Sequence, residues 1–333
     1  MAEVEPARPD RVAIVGAGTI GAAWAARFLL HGVDVAVFDA GPRAEEILAR
    51  TLDRAREAWE GLDLPSPREG TLTIASTIEE AVREAEHIQE SVPEDLAIKR
   101  ATHEAIERAA SPGAVLASST SGLLPSKMQA GLHHPERFVV GHPFVPVYLI
   151  PLVEVVGGKA TSAAVVERAM ATYASVSMKP LHVRVEIDAF VADRLLEAVW
   201  REALWLVNDG VATTEEIDDT IRYGFGLRWA QMGLFETYRL GGGEGGMAHF
   251  LRQFGPSLAW PWSKLTDVPE LDEALIARIA EQSDAQSGAH SIEALEGARD
   301  RNLVAILKAL EANRWGAGDL LARSRERLSR EGD

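Results

Sequence analysis

Three glycines near the start constrain this chain more than any other feature. Arg11-Val12-Ala13-Ile14-Val15 reads as a short buried strand, Gly16-Ala17-Gly18-Thr19-Ile20-Gly21 follows, and Ala22 through Leu30 continue with helical character. Each glycine in a strand-to-helix turn of this kind has its own reason. Gly16 permits the tight turn, Gly18 lets the backbone approach a pyrophosphate, and Gly21 lets helix and strand pack closely. The N–H groups around Thr19 and Ile20 at the helix start then face the phosphates. A second strand, Val33 to Phe38, ends in Asp39, about 20 residues on, where the fingerprint places its acid. Together these predict a dinucleotide site. A carboxylate at Asp39 accepts both ribose hydroxyls of NAD and repels a 2′-phosphate. Arg43 lies close enough to soften that repulsion, so the expectation is a preference for NAD.

With 333 residues the chain has room for two domains and a sizeable core. From residue 11 to about 185, short apolar strands alternate with helical patterns, the signature of a doubly wound parallel sheet. After Val183-Arg184-Val185 the character changes. Ala189 to Val207, Leu275 to Ile279 and Leu303 to Leu310 carry apolar residues at helical spacing. The expected fold is therefore an α/β Rossmann-type domain over 1–185 followed by an all-helical domain over 186–333. Residues Ser324 to Asp333 are charged and read as frayed. The formal net charge of −16 argues against nucleic acid or anionic membrane as a partner. There is no cysteine, which excludes disulfides and thiolate chemistry. No apolar run approaches the roughly 18 residues needed to span a bilayer. The acidic start, Met1 to Pro6, lacks the layout of a signal peptide. A soluble cytoplasmic protein is expected.

The chemistry centres on Gly141-His142-Pro143-Phe144-Val145-Pro146-Val147-Tyr148, followed by Leu152-Val153-Glu154-Val155-Val156. Glu154 is an acid in an otherwise apolar strand, and burying a carboxylate costs several kcal/mol unless it is paired. If the two segments are adjacent strands, Glu154 meets the far ring nitrogen of His142. That contact fixes the tautomer and stabilises the imidazolium, as a histidine taking a proton from an alcohol requires. Ser121, in Ser118-Ser119-Thr120-Ser121-Gly122, follows the apolar run Ala114-Val115-Leu116 and offers a hydroxyl to the same substrate oxygen. Of the other eight of the nine histidines, His31 ends a helix, His87 starts a strand, His133 and His134 sit in a polar loop, and His103, His182, His249 and His290 lack a nearby motif; all read as structural. Glu94 and Lys99, in Ser91-Val92-Pro93-Glu94-Asp95-Leu96-Ala97-Ile98-Lys99, read by themselves as a solvated helix start with the acid near its positive end.

This layout resembles the 3-hydroxyacyl-CoA dehydrogenase superfamily. The resemblance implies that Ser121, His142 and Glu154 form an alcohol-oxidising site. It further implies that Glu94 and Lys99 lie beside the nicotinamide half of NAD, and that the helical domain binds substrate and mediates a homodimer. Two positions depart from the superfamily. Val145 stands where His-x-Phe-Asn-Pro has an asparagine. In Ala189-Phe190-Val191-Ala192-Asp193-Arg194-Leu195, Asp193 replaces the asparagine of Gly-Phe-x-x-Asn-Arg-Leu. An ionised acid cannot donate a hydrogen bond but attracts a cation, which hints at a positively charged substrate.

The helical half also carries an aromatic string. It runs through Tyr223, Phe225 and Trp229, then Phe235 and Tyr238, the glycines at 241–243, 245 and 246, and Phe250, Phe254, Trp260 and Trp262. Any single ring reads most simply as helix core, yet aromatic faces also attract quaternary ammonium groups. The ordered string resembles the branch of the superfamily that acts on L-carnitine. That implies NAD-dependent oxidation of a 3-hydroxyl on a substrate with a carboxylate and a trimethylammonium group. Phe144, Val145, Tyr148, Asp193, Trp229, Phe235 and Tyr238 would then surround the substrate, with Arg194, Arg222 and Arg228 as candidates for its carboxylate. Two alternatives stay open: an L-gulonate or short 3-hydroxy acid dehydrogenase of the lambda-crystallin-like branch, and a non-catalytic NAD-binding structural protein.

Overall fold

Strand β1 (Arg11–Val15) lies inside an eight-stranded sheet, and the chain leaves it through the glycine turn into helix α1 (Thr19–Leu30). The computed structural model describes residues 8–65, 68–241, 244, 246–254, 263, 272–275, 277–278, 282, 285 and 289–331. β2 (Asp34–Phe38), α2 (Ala44–Gly61), β3 (Leu72–Ile74), α3 (Ile78–Val82) and β4 (His87–Glu90) follow in order. Next come α4 (Leu96–Ala109), β5 (Val115–Ser118), α5 (Pro125–Met128) and β6 (Phe138–Pro143). β7 (Leu152–Gly157), α6 (Ala163–Ser175) and β8 (Lys179–Val183) complete the sheet region. The eight strands lie in the order β3-β2-β1-β4-β5-β6-β7-β8. The order reverses between β1 and β4, and a ligand crevice opens at the carboxyl ends of strands at such a point.

The sheet departs from the expected all-parallel pattern at one place. β7 runs antiparallel to β6, while every other neighbouring pair is parallel. The link from Phe144 to Pro151 is too short for a crossover helix, so the chain has to double back.

The chain divides into two units. The first comprises residues 1–192, 299–314 and 318–333; the second comprises 193–298 and 315–317. The two final helices, Ile292–Ala312 and Ala317–Glu331, therefore contribute to the first unit, which a single cut near residue 186 does not describe. The expected fraying from Ser324 onward is not observed through Glu331; residues 332 and 333 lie outside the described residues. The last helix continues to Glu331, with Leu328 1% and Ser324 5% exposed. Arg325 explains why: it donates to the carbonyl of Leu62 at the end of α2 (2.7 Å) and pairs with Glu311 at 2.8 Å. A cation at a helix C-terminus satisfies orphan carbonyls and complements the dipole.

The second unit begins with α7 (Ala192–Asn208) and continues through α8 (Thr214–Thr220), α9 (Gly226–Gly241) and α10 (Gly246–Phe254). Of the helix expected from Leu275 to Ile279, residues 275, 277 and 278 are helical, and 276 and 279 lie outside the described residues. α7 starts later than the apolar pattern suggests because Ala189 (φ +60°) and Phe190 (φ +50°) are left-handed. That conformation costs a non-glycine residue about 1–2 kcal/mol. Ala189→Gly is expected to raise stability by about 0.5–1 kcal/mol after allowing for the greater unfolded-state freedom of glycine. A urea midpoint shifted upward at constant slope is the check, and an unchanged or lower midpoint would count against strain at Ala189.

Candidate active site

The glycine turn behaves as its spacing requires. Gly16 has φ +95°, and a Cβ there would lie 2.7 Å from the carbonyl carbon of Ser91. At Gly21 a Cβ would meet the carbonyl oxygen of Gly16 at 1.8 Å. Around Gly18, by contrast, a Cβ would find nothing within 4 Å. Gly18 is also the N-cap of α1 and supplies no side-chain cap, so the first-turn N–H groups remain for a ligand. Gly16, Gly18, Thr19, Ile20, Asp39, Glu94, Lys99 and Ser121 line one cleft of about 780 Å³. An open backbone approach, an uncapped helix start and an acid at the end of β2 fit a dinucleotide.

The Asp39 carboxylate accepts from the backbone N–H of Ala17 at 2.5 Å and of Gly41 at 2.6 Å. It therefore braces the glycine loop as well as facing the cleft. Asp39→Ala is expected to raise the KM for NAD and narrow the preference over NADP, measured as the ratio of kcat/KM values. Equal kcat/KM for both cofactors in the unmodified protein would remove Asp39 from ribose selection.

At the other end of the sheet His142 and Glu154 are direct partners across β6 and β7. Nδ1 of His142 lies 3.0 Å from Oε2 of Glu154. The second carboxylate oxygen accepts from the backbone N–H of Val191 (2.9 Å) and Ala192 (3.0 Å), at the start of α7. The two left-handed residues turn the chain so that both N–H groups reach it. Glu154 is wholly buried and His142 5% exposed. With a carboxylate on Nδ1, that nitrogen carries the proton and the lone pair is on Nε2. Phe144 and Phe190 flank the imidazole, with ring centroids 4.9 and 5.7 Å away.

Ser121 is exposed on the loop after β5, and its backbone N–H donates to Oε1 of Glu94 at 3.2 Å. The same oxygen accepts from the hydroxyl of Thr120 and the N–H of Gly122. Glu94 thus holds the serine loop. Lys99 is 1% exposed, which corrects the reading of a solvated helix start. Its ammonium bonds Glu90 at 2.8 Å and lies 3.3 Å from Glu94. Asp95 places it there by capping α4 through the N–H groups of Ala97 and Ile98.

Glu90 was not singled out from sequence. It is fully buried and accepts from Val92 N, Lys99, His103 and Ser118. Burial alone would push its pKa up; the His103 and Lys99 contacts outweigh that and hold it below the ordinary carboxylate value. The available signal was a charge at the end of a strand with no exposed face.

The proposed substrate residues fall in both units. Val145 is 46% exposed on the loop after His142. Tyr148 is 7% exposed and donates its hydroxyl to Asp300 at 2.5 Å, and Arg27 donates to the Val147 carbonyl at 3.2 Å. In this structure both contacts support the loop. Asp193 falls in the first turn of α7. Trp229 packs on Phe225 at 4.5 Å, Tyr238 stacks on Phe250 at 4.7 Å, and Phe235 is 73% exposed. Arg222 pairs with Asp219 at 2.7 Å. Trp260 and Trp262, with Gly242, Gly243 and Gly245, lie outside the described residues.

Residues 11–187 match the NAD-binding domain of 3-hydroxyacyl-CoA dehydrogenase, and 190–277 match its C-terminal domain. An L-carnitine dehydrogenase/betainyl-CoA thioesterase of Agrobacterium fabrum is 58% identical over 92% of this chain, which spans 63% of that relative's length. An L-carnitine dehydrogenase of Mesorhizobium japonicum is 54% identical, with 93% of this chain and 87% of the relative covered. Among solved structures, FHMPC 5-dehydrogenase, an NAD+-dependent dismutase, superposes with a TM-score of 0.76 at 28% identity, covering 91% of this chain and 98% of its own. The chain belongs to the 3-hydroxyacyl-CoA dehydrogenase family, with an NAD-binding Rossmann-type domain and the family's helical C-terminal domain.

Proposed function

We propose that this protein oxidises the 3-hydroxyl of L-carnitine to 3-dehydrocarnitine, coupled to reduction of NAD. The observation that carries the chemistry is the buried His142–Glu154 pair, register partners on adjacent strands, in a chain whose cleft has the features of a dinucleotide site. The L-carnitine dehydrogenase relatives support the substrate.

NAD, when bound, supplies the acceptor for the hydride from C3. His142 takes the hydroxyl proton on Nε2. Glu154 lies against Nδ1 and stabilises the imidazolium that results. Ser121 holds the substrate oxygen through its hydroxyl, and Glu94 keeps the serine loop in place. Val145 brings no amide to the space beside the nicotinamide and His142. The balance is L-carnitine + NAD+ → 3-dehydrocarnitine + NADH + H+.

The trimethylammonium group suits Asp193 and the aromatic residues of the helical unit, since carboxylates and ring faces both attract it. Arg194, Arg222 and Arg228 remain candidates for the substrate carboxylate. We assign a homodimer through the helical unit. The exposed Leu195, Leu196 and Trp200 on α7 support it, at 59%, 57% and 58% exposure. A cytoplasmic location is part of the same reading; among the described residues no helix is long and apolar enough to cross a membrane.

The test is NADH formation from NAD with L-carnitine, L-gulonate and uncharged 3-hydroxy acids side by side. L-Carnitine is expected to give the highest kcat/KM. Preference for L-gulonate would replace the substrate. No turnover with any of them, despite NADH binding, would favour a structural role.

A further inference from the structure

β4 ends in two polar residues that point to opposite faces of the sheet. Glu90 turns toward α4. Its neighbour Gln89 turns toward α6, is wholly buried, and has both ends of its amide engaged. The oxygen Oε1 accepts from the Tyr173 hydroxyl at 2.6 Å and lies 3.3 Å from Nε2 of His87. Nε2 donates to Oγ of Ser119 at 2.8 Å and to the carbonyl of Gly141 at 3.3 Å. Ser119 stands two residues before Ser121, and Gly141 immediately before His142. One amide group therefore touches both chain segments that deliver the reactive side chains.

The surroundings explain why a buried amide is kept there. A Tyr173 phenol is a donor only while protonated, and burial holds its pKa well above the ordinary tyrosine value. The Gly141 carbonyl can only accept, so the NH₂ faces it and Ser119, and the amide oxygen faces Tyr173, whose hydroxyl donates to it. Burial likewise pushes His87 down to about 4, so near neutral pH it is uncharged and donates to the same oxygen. Gly141 has a definite reason to lack a side chain: a Cβ there would lie 1.9 Å from the Tyr173 oxygen. Ser119 passes the network on to the hydroxyl of Ser91 at 2.8 Å, and both serines line the cofactor cleft.

We infer that Gln89, oriented by Tyr173, is a positioning residue that sets the spacing between the Ser121 loop and the His142 strand. This rests on the reading of Ser121 and His142 as the reacting pair. Gln89 touches neither side chain. It acts through Ser119 and Gly141, and a shift of either segment changes how the two side chains meet one substrate oxygen.

Gln89→Met keeps the length and loses both donors, and Gln89→Glu keeps an acceptor for Tyr173 while opposing the Gly141 carbonyl. In both, kcat is expected to fall by about 10-fold or more, the scale of a sub-ångström to ångström misplacement. NADH affinity, read by nicotinamide fluorescence, is expected to fall by a smaller factor than kcat, because Gly16 to Gly21 and Asp39 are untouched and only Ser119 and Ser91 connect the network to the cofactor cleft. The ratio of variant to unmodified rate is taken on whichever 3-hydroxy acid the unmodified protein oxidises, which separates this inference from the choice of substrate. A second readout needs no turnover. The imidazole NMR signals of His142, assigned by their loss in His142→Gln, are expected to shift in Gln89→Met. If Gln89→Met does not fold, Tyr173→Phe and Ser119→Ala decide, the first removing the Tyr173 contact and the second the contacts of Ser119 with Gln89 and Ser91. Folded variants with kcat within about twofold of the unmodified protein, or unmoved His142 signals in a protein without turnover, would overturn the role of Gln89.

Discussion

His142→Ala is expected to lower kcat for 3-hydroxyl oxidation by about 10²–10⁴-fold, the usual contribution of a positioned general base. NADH affinity should survive, because the cleft that includes Gly16, Gly18, Asp39, Glu94 and Lys99 does not include His142. The alanine variant also opens space between Phe144 and Phe190 and strands the buried Glu154 carboxylate. His142→Gln is therefore made beside it. Its amide can still donate to Glu154 but cannot act as a base near neutral pH. Both variants should lose turnover to a similar degree, with the glutamine protein melting closer to the unmodified one. Near-native kcat in either would remove His142 from the chemistry.

The second large effect is expected from Glu154→Gln, and the structure supplies its direction. Oε1 of Glu154 accepts from Val191 and Ala192, and only the oxygen of a glutamine amide can take that place. The NH₂ group is then forced toward Nδ1 of His142. The imidazole must accept there, which moves its own proton to Nε2, where the base is needed. A wrong-tautomer substitution of this kind costs about 10⁴-fold in the serine protease triad; a loss of about 10²–10⁴-fold is expected here. Folding should be little affected, since every donor keeps an acceptor. The measurement is kcat across pH together with the melting temperature. A folded Glu154→Gln protein retaining a tenth or more of the activity would mean that Glu154 supports the fold without orienting the base.

Much of the candidate site is legible in the amino-acid sequence, for reasons that differ by residue. Gly16, Gly18 and Gly21 announce themselves because a strand-to-helix turn around a phosphate restricts backbone geometry over contiguous residues. Asp39 follows at a distance set by one helix and one strand. His142 and Glu154 could be paired because a lone carboxylate in an apolar strand needs a partner, and a short link between strands makes them neighbours. The loop positions were harder to read. Tyr148 is placed at the substrate by the resemblance alone, and its hydroxyl donates to Asp300, far away in sequence. Lys99 looked solvated because its own segment is polar, whereas the partner that buries it, Glu90, ends a different strand.

What the amino-acid order determined by itself is therefore the local chemistry: the glycine turn, the strand-end acid, the periodicities that separate an α/β region from a helical one, and the His–Glu spacing. These depend on dihedral preferences and side-chain periods within short stretches. Strand order, the reversal of β7, the return of the last two helices to the first unit and the networks around Gln89 and Glu90 were decided only by the tertiary structure. Each depends on which distant segments become neighbours, and a buried polar group finds its donors there, across strands and helices that no local pattern connects.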